Sequence, residues 1–282
     1  MTFIRRIIAD RAAPRRTPRP WRDGCPSVPL CWSDVLHDLV CFDAGFTLIQ
    51  PRQTIADNLA EVLEAHGHRA GPEDIRRAWE AADAWFWETY HQPGNVAWTN
   101  DADIEATWRR YHSLMLRELG FGDREHELID KIIEGHLSAD AWLPYPDTIA
   151  ALELVRGHPS RNSAPPPRIA VISDFGSALA DVMQAVGLGP YIDVLLISAV
   201  EGLAKPAREF FELACARTGI APANAVMVGD SYRADVVGAR SAGLDAVLLD
   251  RNGTAGETDV PVARTLTEAI ELAAAARAAP AS

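Results

Sequence analysis

The chain has 282 residues, 48% of them hydrophobic and 23% charged, enough for one large domain or two modest ones with a full core. Its formal net charge of −12 excludes non-specific nucleic-acid binding, which needs a basic surface. No apolar stretch approaches the ~20 residues of a membrane span, so neither nucleic acid nor membrane is an expected partner.

Residues 1–33 read as a basic, Pro/Arg-rich tail. In the first 22 residues arginines occupy positions 5, 6, 11, 15, 16, 19 and 22 against one acid, Asp10, and Pro14, Pro18 and Pro20 break any helix. The apolar content is too thin for a secretory signal. An organelle address or an early start codon are alternatives to a disordered tail, which is the plainest expectation. A first strand is expected over about 38–43. Helical spacing then dominates from about 53 to 137. Ile55, Leu59, Val62 and Leu63 form one stripe, ended by Gly67; Pro72 opens a second with Ile75, Trp79, Ala82, Phe86 and Tyr90. Ile104, Trp108, Tyr111 and Met115 mark a third helix, and Leu128, Ile129, Ile132 and Ile133 a fourth. Short connections make these a small antiparallel bundle.

After Pro144-Tyr145-Pro146-Asp147 the texture changes. A helix over about 147–156 leads into a solvated proline-rich loop. Strands near 169–173, 193–198, 225–229 and 245–249 then alternate with helices, and an Ala-rich helix over 269–278 closes the chain. Such alternation implies right-handed βαβ units on a parallel sheet, an α/β fold with the bundle inserted after its first strand. The four cysteines, Cys25, Cys31, Cys41 and Cys215, lack metal-ligand spacing. Buried thiols in a reducing, cytoplasmic protein are expected, with a Cys25–Cys31 disulfide as the alternative.

Four polar breaks end apolar runs in a fixed order: Asp43-Ala44-Gly45-Phe46-Thr47, then Ser173, then Lys205, then Gly229-Asp230-Ser231 with Asp235. Strand ends and the loops after them can bring a carboxylate, a hydroxyl, an ammonium and an acidic pair to one sheet edge, where open α/β sheets bind ligands. Lys205 stands out because, of 27 basic residues, only it and Lys131 are lysine. A compact ammonium fits where a planar guanidinium does not. Each residue alone has a plainer role: Asp43 as a turn cap, Asp235 as a helix N-terminal charge, and Asp174 as a helix-start residue.

Over residues 36–255 these motifs, with Ser198 through Pro206 and Gly238-Ala239-Arg240, resemble the haloacid dehalogenase-like hydrolase superfamily, in its subgroup with a helical cap after the first motif. The resemblance implies a three-layer Rossmann-like core with a parallel sheet (34–50 and 141–282) and an inserted four-helix cap domain (51–140). It implies Asp43 as a nucleophile forming an aspartyl-phosphate, and Mg²⁺ held by Asp43, the Gly45 carbonyl, Asp230 and Asp235. Ser173, Lys205 and Thr47 would hold phosphoryl oxygens. The implied function is a Mg²⁺-dependent phosphatase acting on a small phosphorylated metabolite, with a homodimer as the expected assembly if any.

Gly45 departs from the pattern, because many phosphatases of this superfamily carry an aspartate there as general acid–base, a role worth roughly 10²–10⁴-fold. Three explanations compete: an acid from elsewhere or a leaving group that needs none; a metal-independent 2-haloacid dehalogenase; or a phosphonate hydrolase using Lys131. A catalytically silent binding protein is a fourth. Glu88, His91 and His112 are candidate acids. The aromatics of the inserted helices are expected mostly in their core, with at least one of Trp85, Phe86 and Trp87 turned elsewhere. Arg52 is expected exposed or near the site entrance.

Overall fold

The computed structural model describes residues 36–90, 97–158 and 165–276. The basic tail, Cys25, Cys31, His91 and residues 159–164 of the proline-rich loop lie outside them. In chain order the elements are β1 (Leu39–Phe42), β2 (Ile49–Pro51), α1 (Ile55–Ala65), α2 (Pro72–Tyr90), α3 (Asp101–Glu118), α4 (Glu125–Leu137), β3 (Trp142–Pro144) and α5 (Thr148–Gly157). They continue with β4 (Arg168–Ser173), α6 (Leu179–Ala185), β5 (Val194–Ile197), α7 (Arg208–Thr218), β6 (Ala225–Gly229), β7 (Asp245–Leu249), β8 (Val262–Ala263) and α8 (Leu266–Ala276).

Six strands form one sheet in the order β5-β4-β1-β6-β7-β8, every ladder parallel. All four residues of β1 are buried, because helices cover both faces, and this is why the run Leu39-Val40-Cys41-Phe42 is continuously apolar. Alternate side chains feed the two layers. Val40, Phe42, Val171 and Val228 pack on α5, α6 and α8, while Leu39, Cys41, Ile172 and Met227 pack on α7. Cys41 and Cys215 are free buried thiols, as expected. β1 lies between β4, reached in one direction, and β6, reached in the other. The carboxyl ends of these three strands flank the point where the strand order reverses.

Helices α1–α4 gather a separate apolar cluster around Leu59, Leu63, Ala82, Tyr111, Met115, Leu116 and Ile132. Thr54 caps α1 by accepting from the Asp57 amide, and Asn100 caps α3 by accepting from that of Asp103. The chain enters and leaves this helical unit through one antiparallel ladder, β2 with β3, which pairs Ile49 with Pro144 and Pro51 with Trp142. Neither this ladder nor β8 was expected from the sequence. Strands of three and two residues carry no readable period, and Pro51 and Pro144 argue against strand locally. Among the described residues no helix is long and apolar enough to cross a membrane.

Candidate active site

The Asp43 amide donates to the Val228 carbonyl at 3.0 Å, so β1 stays in register one residue beyond its end and fixes the carboxylate over the sheet edge. The chain then turns tightly: the Leu48 and Ile49 amides both donate to the Ala44 carbonyl at 2.9 Å. The left-handed residue of the turn is Phe46 (φ 60°), not Gly45. A Cβ at Gly45 would meet nothing within 4 Å. Glycine is therefore required there neither by backbone conformation nor by space.

Lys205 is the hub. Its Nζ donates to Asp43 Oδ1 at 2.7 Å and to Asp235 Oδ1 at 2.8 Å, and the lysine side chain is only 4% exposed. Burial works against its charge, but Asp235, Asp43 and Asp174 outweigh that and hold the ammonium well above the usual lysine range. Asp235 sits in a π-helical turn, Tyr232–Val237, where its Oδ2 accepts from the Ser231 amide at 2.9 Å. A Cβ at Gly229 would collide with that carboxylate, which explains the glycine before Asp230. Asp230 Oδ1 accepts from the Thr47 hydroxyl at 3.5 Å.

Asp43, Asp230 and Asp235 each offer one oxygen, and these lie within 4.8 Å of one another. An octahedral cation with bonds of about 2.1 Å holds its oxygens roughly 3–4 Å apart, so three hard donors at this spacing fit Mg²⁺ after a small adjustment. Charge argues the same way. Asp43, Asp174 and Asp235 act on one ammonium, and Asp230 adds a fourth carboxylate to the same cavity, a balance that leaves a dication electrostatically welcome. Burial pushes the Asp43 carboxyl up to about 6, against the pull of the adjacent Lys205.

Ser173, at the end of β4, is 2% exposed and lines the same cavity as Asp43, Gly45, Lys205, Asp230 and Asp235. Thr47 is fully buried, its hydroxyl behind Asp230. Asp174 does not start a helix, since α6 begins five residues later. It accepts instead from the Lys205 amide at 2.9 Å and from the Tyr90 hydroxyl at 3.0 Å, and burial lifts its carboxyl to about 6. Sequence reasoning missed this role. A carboxylate directly after a buried strand-end serine is the only local signal for it. Tyr90 belongs to α2, and Asp101 of α3 accepts from the Ser177 amide at 2.7 Å, so two inserted helices are pinned to the loop after β4.

Of the candidate acids, Glu88 is exposed, whereas His112 is buried and lines the cavity. Lys131 is exposed and paired with Glu134 at 2.9 Å. Arg52 is exposed, lines the cavity and donates from Nε to the Asp140 carbonyl at 2.9 Å. Trp87 is the aromatic of its triplet that lines the cavity beside Phe86, while Trp85 packs against the helical cluster.

The family profile described as haloacid dehalogenase-like hydrolase matches residues 37–243. The phosphoserine phosphatase of Thermus thermophilus is 30% identical over 212 residues, spanning 67% of this chain and 81% of that protein. Among solved structures, the HAD-hydrolase YfnB of Bacillus subtilis bound to magnesium superposes with a TM-score of 0.65 at 18% identity, covering 83% of this chain and 96% of that one. The defluorinating L-2-haloacid dehalogenase Rha0230 superposes with a TM-score of 0.61 at 20% identity, over 85% and 95%. At such identities the two structures speak for the fold alone.

Proposed function

The chain belongs to the haloacid dehalogenase-like hydrolases, and from that premise we propose that it is a Mg²⁺-dependent phosphatase working through an aspartyl-phosphate at Asp43. The observation that carries this reading is the cluster of Asp43, Asp230 and Asp235 oxygens within 4.8 Å around one buried ammonium. The 30% identity to a phosphatase agrees with it. In this reading residues 51–140 act as a cap over a core made of 34–50 and 141–282, and the β2–β3 ladder is the joint between them.

Asp43 supplies the attacking oxygen, which Lys205 orients through its 2.7 Å contact. One oxygen–phosphorus bond forms as the bond to the leaving group breaks, which divides one hard displacement into two easier steps. The Ser173 hydroxyl and the Lys205 ammonium hold the phosphoryl oxygens and offset their charge. Mg²⁺, held by Asp43, Asp230, Asp235 and the Gly45 carbonyl, would add Lewis-acid neutralisation of the same oxygens when bound. Water then attacks phosphorus and regenerates Asp43. A screen of phosphate monoesters with Mg²⁺ and with chelator tests this; turnover is expected only with metal, and full activity in chelator contradicts it.

Metal affinity carries a pH signature. With its carboxyl at about 6, Asp43 must lose a proton to become a ligand below that pH. The apparent Mg²⁺ affinity is therefore constant above about pH 6.5 and falls by about tenfold per unit below about 6. Calorimetric titrations at pH 5 and 7.5 check it, and equal affinities at the two pH values contradict Asp43 as a ligand.

One feature favours a second reading, metal-independent dehalogenation. A departing halide needs no proton, and Gly45 supplies none. Halide release from 2-haloacids in chelator is the result that would support it. The phosphonate reading loses its residue, because Lys131 points to solvent in a surface ion pair.

A further inference from the structure

The wall of the cavity and the open position at Gly45 bear on one question, the identity of the leaving group. The cavity holds ≈ 470 Å³. Phe86, Trp87, Trp98 and Trp108 line it from the helical unit, and Trp142 and Phe175 line it from the sheet side. The last two meet edge-on, with centroids 5.2 Å apart. Several polar groups along the wall are engaged by the protein: Trp87 Nε1 donates to Asp83, the Tyr90 hydroxyl to Asp174, and Asn58 Nδ2 to the Ile132 carbonyl, while Trp142 Nε1 is buried without a hydrogen-bond partner among the described residues. A sugar or an amino acid would bury hydroxyl or charged groups against ring faces, each costing about 1–3 kcal/mol when left unpaired. A flat aromatic ring makes no such demand and gains offset or edge-to-face contacts.

Gly45 adds an independent constraint. An acid would fit there without strain, yet none is present. Along the wall, Glu105 is held by Arg109 at 2.7 Å, Asp174 accepts from the Tyr90 hydroxyl at 3.0 Å, and the His112 ring packs against those of Tyr111 and Trp108. A site built this way suits a leaving oxygen that departs unprotonated.

We infer that the substrate is an aryl phosphate, the ester of a phenol-type hydroxyl, with its ring among the aromatic walls and its phosphoryl group at Asp43. This rests on the phosphatase reading. The Asp43 oxygen bonds to phosphorus, the phosphorus–aryl oxygen bond breaks, and its electron pair stays on the aryl oxide, which later takes a proton from solvent. A phenol, with a pKa of about 10 like the tyrosine side chain, leaves readily as its anion. An alkyl alcohol, close to the roughly 16 of bulk water, does not. Water then attacks phosphorus, breaking its bond to Asp43 and yielding inorganic phosphate, with the water's protons passing to solvent.

The test compares phenyl, benzyl, glucose 6- and uridine 5′-phosphates with the full-length protein and Mg²⁺. Phenyl and benzyl phosphate share the ring and differ in the leaving oxygen. Phenyl phosphate is expected to exceed benzyl phosphate in kcat by about 10²-fold or more, with KM values within a few-fold of each other. Gly45→Asp is expected to raise benzyl phosphate turnover by about 10² and so narrow the ratio. Benzyl, glucose or uridine phosphate turned over as fast as phenyl phosphate by the wild type overturns the inference and leaves the phosphatase reading standing. So does a Gly45→Asp variant that changes both ring esters equally. No turnover of any of the four, with no Mg²⁺ binding, overturns both.

Discussion

Asp43→Asn lowers phosphatase turnover by roughly 10⁴-fold or more while leaving the fold intact, in line with the cost of deleting a nucleophile in other hydrolases. The carboxamide has the shape of the carboxylate but no anionic oxygen to attack phosphorus, and it is a poorer ligand for a hard dication. Lys205 loses one partner and keeps Asp235 at 2.8 Å, so its charge stays paired. The Asp43 amide contact to Val228, made by the backbone, survives. Steady-state kinetics beside a thermal melt separates the two effects. A folded Asp43→Asn enzyme with a tenth of wild-type activity would remove Asp43 from the chemistry.

The second large effect is on stability. Lys205→Met keeps the length and apolar stem of the side chain but strips the only ammonium from two buried carboxylates, Asp43 and Asp235. Removing one partner of a buried pair costs about 3–5 kcal/mol, because the other charge stays buried without compensation. Urea unfolding in chelator should show that loss. The sign with pH follows from the carboxylates. Without the ammonium the folded state favours the protonated form of Asp43 more strongly, so it binds more protons than the unfolded chain, and the variant loses stability as pH rises from about 4 through 6 and beyond. The deficit against wild type is therefore smallest in acid, where Asp43 is neutral. Mg²⁺ is expected to recover part of it at pH 7.5, since a dication would neutralise the same oxygens. A variant as stable as wild type in chelator at pH 7.5 would mean the ammonium does not offset these charges.

Much of this architecture is legible in the sequence because its signals are local. The β1, β4, β6 and β7 runs are apolar on both faces, and each ends on a residue that cannot continue the pattern, so the strand ends advertise Asp43, Ser173 and Asp230. Helical spacing likewise marks the inserted helices. What escaped is non-local. The Tyr90 to Asp174 contact spans 84 residues and no spacing rule reaches it, and without that contact Asp174 reads as a helix start. The β2–β3 ladder joins segments about 90 residues apart through three residues each. Helical periodicity assigns Phe86 to the bundle core, where it is indeed buried, but it cannot reveal that the same ring also forms part of a cavity wall.

The central claim is that phosphorus bonds to Asp43 during turnover. Wild-type enzyme is mixed with Mg²⁺ and phenyl phosphate carrying radiolabelled phosphorus, quenched in acid within the first turnovers, digested, and its peptides analysed by mass. The account predicts one labelled peptide, containing Asp43, absent in chelator and in Asp43→Asn. Product formation with no label on that peptide at any quench time, together with an active Asp43→Asn enzyme, contradicts it.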